Sequence, residues 1–103
     1  MKSAILRPQA RADVRAEMAY YRKHAGKSVA NELTHAIDDA LLHLQHHPGT
    51  GSRRLGQTLN IPGLRSWRVS GFPLIWFYFE REDFLDVVRL LGERQDVLSI
   101  LAD

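Results

Sequence analysis

Leu74-Ile75-Trp76-Phe77-Tyr78-Phe79 carries an apolar or aromatic side chain at six successive positions. A half-exposed antiparallel strand alternates with polar residues, so a strand of this composition needs cover on both faces. Two further period-two stretches flank it, Leu64 to Val69 before and Phe84 to Leu91 after, joined around Ser70-Gly71 and around Arg81-Glu82-Asp83. Connections this short make the three strands antiparallel neighbours.

Upstream the period changes from two to that of a helix. Lys2 to Leu6 reads as a short strand, ended by Arg7-Pro8, where proline suits the first turn of a helix. Ala10, Val14, Met18, Tyr21 and Ala25 then repeat at three- and four-residue spacings, with Arg11, Asp13, Arg15, Glu17 and Arg22 off that stripe. Gly26 stops this helix, and Ser28 is placed to cap a second one. The second stripe, Val29, Leu33, Ala36, Ile37, Ala40, Leu41 and Leu44, is the cleanest periodicity in the chain and closes at Pro48-Gly49. So few residues separate the helices that they form an αα-hairpin with both stripes turned to one side.

Residues Pro48 to Pro62 hold three glycines and no periodic pattern. That is long for a connection, which marks it as a candidate functional loop. The tail from Gln95 to Leu101 carries Val97, Leu98, Ile100 and Leu101, suited to a short helix or a strand end packed on the sheet. The expected architecture is one α+β domain over residues 1–103: an N-terminal strand, an αα-hairpin, then a three-stranded antiparallel meander with the helices on one face of the sheet. Two helices cover one face, which leaves the other either to the C-terminal tail alone or to the tail together with a partner.

Composition narrows the function. The chain has 103 residues, no cysteine, 45% hydrophobic and 25% charged residues, the profile of one globular domain with neither a disulfide framework nor a thiol nucleophile. A reducing cytoplasm is the expected location, since no apolar run reaches the ~20 residues of a membrane span and the first residues lack the apolar stretch of a signal peptide. The net charge of +2 is uneven. No acidic residue lies between Asp39 and Glu80, while Arg53, Arg54, Arg65 and Arg68 give that stretch +4 and leave −2 for the rest. Arginine forks match phosphate and carboxylate, so the expected partner is anionic.

Catalytic patterns mostly fail. Gly51 to Thr58 has the spacing of a phosphate-binding loop, but Gln57 stands where the lysine is needed and a helix precedes it in place of a strand. His43, His46 and His47 cluster at the end of the second helix, with His43 and His47 spaced i, i+4. Histidines in a last helical turn are explained by the helix carbonyls and dipole, and no metal site is expected from them. No nucleophile-elbow pattern frames any serine.

The order of these elements and the residues within them resemble the RelE/ParE toxin superfamily. The likeness is carried by the strand ending in Pro8, by Ala10, Asp13, Val14 and Tyr21 in the first helix, and by Leu44-xxx-Pro48-xx-Gly51. It continues through Leu64-Arg65, Phe72-Pro73-Leu74-Ile75-Trp76-Phe77, and Val88-Arg89-Leu90-Leu91 followed by Arg94-xx-Asp96. It is closest to the ParE branch, the toxins of type II toxin-antitoxin pairs that poison DNA gyrase.

The resemblance implies a cytoplasmic toxin that needs no cofactor, meets nucleic acid only through its target, and is held by a cognate antitoxin protein, as in plasmid stabilisation. It implies DNA gyrase as the target. Arg53, Arg54, Arg65, Arg68, Arg89 and Arg94 are the basic candidates for facing target or antitoxin, and Leu74, Trp76 and Tyr78 the apolar candidates for facing antitoxin. The alternative within the superfamily is a ribosome-dependent messenger RNA endonuclease using Arg65 and Arg89. Those nucleases add a tyrosine or histidine near the C-terminus, and Gly92 to Asp103 contains neither. Arginine stays protonated and makes a poor base, so binding without cleavage is expected. Arg65 and Arg89 also have a purely structural reading, as partners of Asp86, Glu80 or the C-terminal acids.

Overall fold

The computed structural model describes residues 1–102. Strand β1 (Ser3–Leu6) leads into α1 (Pro8–Ala25) and α2 (Lys27–His46); a 3-10 turn (Pro48–Thr50) and α3 (Arg54–Thr58) follow. Then come β2 (Leu64–Arg68), β3 (Leu74–Glu80), β4 (Phe84–Gly92) and α4 (Val97–Ala102). One glycine, Gly26, separates α1 from α2, at φ 94° and ψ 169°, a conformation that penalises a side chain. Ser28 therefore falls inside α2, whose N-cap is Gly26 with no side-chain cap bond.

The sheet has the order β1-β4-β3-β2, with β1 parallel to β4 and the other pairs antiparallel. The helical hairpin covers one face. Beneath it lie Trp76, Tyr78 and Leu74 of β3, Leu85, Val87 and Leu90 of β4, and Leu33, Ile37 and Leu44 of α2, in one cluster. The opposite face carries Leu64, Phe77 and Leu91, packed under Leu55 and Ile61 from the long connection and under Val97, Ile100 and Leu101 of α4. On this face Phe77 is fully buried by the chain's own segments, while Ile75 and Phe79 are half-buried.

A bulge in β4 sets which side chains point where. Phe77 pairs with Arg89 but Tyr78 pairs with Val87, so Val88 is the extra residue. Counted by strict alternation, Arg89 shares the face of Leu85 and Val87 and would enter the core. The inserted residue sends Leu90 there instead, opposite Trp76, and turns Arg89 to the other face.

Candidate functional site

The long connection is organised by a cross-strand pair. Arg65 lies opposite Tyr78. Arg65 Nη1 donates to the carbonyls of Gly49 (3.1 Å) and Gly51 (2.8 Å), while Tyr78 Oη donates to Pro48 O (2.7 Å) and accepts the Gly51 N–H (3.0 Å). A Cβ on Gly51 would stand 2.4 Å from that phenol oxygen, so only glycine fits. Burial pushes the Tyr78 phenol above its ordinary range, against smaller opposing effects of the Gly51 hydrogen bond and Arg65. It stays protonated near neutral pH and serves as a clamp for residues 48–51.

Arg89 is held just as firmly. Its Nε and Nη2 donate to the Asp13 carboxylate of α1 at 2.8 and 3.0 Å, and Leu90 N–H donates to the same group at 2.9 Å. Because β1 ends opposite Val87, the outer edge of β4 beyond the bulge is free, and Asp13 caps it. One turn along α1, the buried Glu17 accepts Arg94 Nη2 at 3.3 Å, and the Arg94 guanidinium sits 4.3 Å from the Tyr20 ring centre. Arg68 pairs with Glu93.

The partners anticipated for Arg65 and Arg89 are taken by others. Asp86 receives Arg7 Nε and Nη2 at 2.8 Å each and Arg81 Nη2 at 2.9 Å, and Glu80 receives Lys2 at 2.9 Å. The three apolar candidates are corrected too. Leu74, Trp76 and Tyr78 are 0% exposed beneath the helical hairpin, where no partner reaches them.

Arg53 and Arg54 differ from the other four basic candidates. They sit at the start of α3, both exposed and without an ion-pair partner among the described residues. Beside Arg53 opens a groove of about 340 Å³ lined also by Gln57, Asn60 and Gly63. His43 stacks on Trp67 with ring centres 4.7 Å apart, and its Nε2 meets Thr50 Oγ1 at 3.3 Å. Among the described residues no group of three or more ligating side chains is placed for a metal ion, and no helix is long and apolar enough to cross a membrane.

Residues 4–97 match the family model described as the ParE toxin of the type II toxin-antitoxin system, parDE. The chain belongs to the ParE toxin family. A solved structure of the chromosomal ParDE toxin-antitoxin system from P. aeruginosa has a similar fold, at 20% sequence identity and a TM-score of 0.74, covering 89% of this chain and 96% of that one. No curated protein matches the chain. Within the ParE toxin fold, then, the strands that carry Arg65 and Arg89 are legible in the sequence but the partners of the two arginines are not. Asp13 and Glu17 stand i, i+4 on the α1 face that meets the end of β4, a spacing legible in the sequence as one face.

Proposed function

We propose that this ParE-family toxin poisons DNA gyrase by binding, without chemistry of its own, and is neutralised by a cognate antitoxin. One observation carries the choice against a nuclease. Both sheet arginines that a phosphate-cleaving site would use are spent on the chain itself, Arg89 on Asp13 and Arg65 on the Gly49 and Gly51 carbonyls. The phenol opposite Arg65, on Tyr78, is buried and doubly hydrogen-bonded, so it supplies no accessible proton-transfer group. The exposed Arg53 and Arg54 remain for contact with the target, where unpaired arginines act as binding anchors.

The reading is tested by giving the purified chain two substrates in parallel. Loss of supercoiling by gyrase, with messenger RNA on translating ribosomes left intact, is expected. Codon-specific cleavage on the ribosome with gyrase unaffected would contradict it. Growth arrest on expression, relieved by co-expressing the product of the adjacent gene, tests the antitoxin half.

A further inference from the structure

Helix α1 sorts its charges by face. Its acidic residues, Asp13 and Glu17, are both turned to the end of β4, where Asp13 receives Arg89 and the Leu90 N–H and Glu17 receives Arg94. That leaves the outward face to cations. Arg11, Arg15 and Arg22 are exposed and have no ion-pair partner among the described residues. At 3.6 residues per turn they fall within about 40° of one another around the helix axis and span about 16 Å along it. Lys23, exposed and unpaired in the same sense, stands on a neighbouring row, and the short side chains of Ala12 and Ala19 lie between.

The residues of this face narrow what can meet it. The core of a protein–protein interface is built on aromatic and aliphatic anchors with charged residues pushed to the rim. Between Arg11 and Lys23 this face offers only arginine, lysine and alanine. A helix that lies on a membrane inserts its apolar side, and here that side, Val14, Met18 and Tyr21, is packed on the core. A regular polyanion fits what remains: a row of guanidinium groups matches successive phosphates, and release of counterions drives the contact. An exposed α-helix also suits the roughly 12 Å wide major groove of B-DNA, whereas the deep and narrow major groove of duplex RNA shuts it out.

We infer that the outward face of α1 binds the phosphate backbone of duplex DNA through Arg11, Arg15 and Arg22, with Lys23 at one end of the row. This goes beyond the expectation that nucleic acid is met only through the target. It is a second basic surface beside that of Arg53 and Arg54, and it does not depend on the gyrase reading. A chain that binds duplex and leaves supercoiling untouched keeps this inference and loses that reading. A chain that stops supercoiling without binding duplex does the reverse.

The test is the binding of the purified full chain to a short mixed-sequence DNA duplex, without gyrase, across a series of salt concentrations. Three neutralised phosphates contribute about −3 to the slope of log affinity against log salt. The variant carrying Arg11→Gln, Arg15→Gln and Arg22→Gln should bind at least about tenfold more weakly at low salt, with the slope flattened by about 3. It should melt at the parent's temperature, since no ion pair is broken. Arg11→Lys, Arg15→Lys and Arg22→Lys together should keep the slope, which separates charge from fold. A glutamine variant that binds duplex as the parent does overturns the inference, as does a loss found only in Arg53→Ala with Arg54→Ala. Tighter binding to duplex RNA or to phosphatidylserine vesicles than to duplex DNA assigns the face to another polyanion and overturns it as well.

Discussion

Asp13 and Arg89, 76 positions apart, form a two-pronged ion pair that fastens α1 to the open edge of β4. The pair is partly buried, with side chains 13% and 23% exposed, and Asp13 also accepts the Leu90 N–H. Removing the carboxylate strands a guanidinium and a backbone donor together. Asp13→Ala should therefore cost about 2 to 4 kcal/mol of stability, read by chemical denaturation. Arg89→Ala should also destabilise. An Arg89→Ala protein as stable as the parent would mean that Arg89 is free for an external phosphate.

The clamp on the long connection gives a graded expectation. Tyr78→Phe removes the donor to Pro48 O and the acceptor for Gly51 N–H, a loss of about 1 to 3 kcal/mol. Gly51→Ala drives a methyl group to 2.4 Å from the Tyr78 oxygen and should cost more, a loss only partly relieved when the oxygen is removed with it. Thermal melts of both single variants and the double variant check this. The double variant should be more stable than the sum of the single losses implies, because the tightest contact is relieved. It should be less stable than Tyr78→Phe alone, because ring carbons still stand 2.8 and 2.9 Å from the added methyl group.

Core truncations should separate buried from bordering residues. Phe77 is completely buried, so Phe77→Ala should cost about 3 to 5 kcal/mol. Leu41 is only half-buried, in a groove between β1 and α2, and Leu41→Ala should cost about 1 kcal/mol. Equal losses in denaturant titrations would show that the two faces of the sheet are assigned wrongly.

Asp86 supplies the pH dependence. Hydrogen bonding from Arg7, then Arg81, holds its carboxyl below the ordinary carboxylate range against the opposing effect of desolvation. A carboxyl with a folded-state pKa below its unfolded value of about 3.9 stabilises the fold above that pH and loses its contribution as pH falls through the lower value. Asp86→Asn should be less stable at pH 7 and show a flatter stability profile below about pH 4. Parallel acid curves for parent and variant would contradict this.

The sequence carried the elements and the two-helix, four-strand plan, because their periods are clean. Which face of β3 met the helices was illegible, since Leu74 to Phe79 is apolar on both faces and alternation gives no vote. Leu74, Trp76 and Tyr78 accordingly turned out to be core. The β4 bulge left no mark either: Val87-Val88-Arg89-Leu90-Leu91 has neither glycine nor proline at the inserted residue. Arg89 was therefore placed on the right strand without its partner. The Asp13 and Glu17 contacts depend on how α1 crosses the end of β4, a tertiary relationship that no local pattern encodes. The Pro48 and Gly51 spacing was visible, and its reason is the Tyr78 phenol, 27 residues beyond Gly51.

The proposed function assigns target recognition to the exposed Arg53 and Arg54 and not to the paired arginines. Its most direct measurement is the concentration of purified toxin needed to halve gyrase supercoiling, for the parent and for Arg53→Ala with Arg54→Ala. The parent should inhibit, and the double variant should need about tenfold more protein or beyond while melting at the same temperature. A fully folded double variant with undiminished inhibition, or a parent that leaves supercoiling untouched, would rule that assignment out.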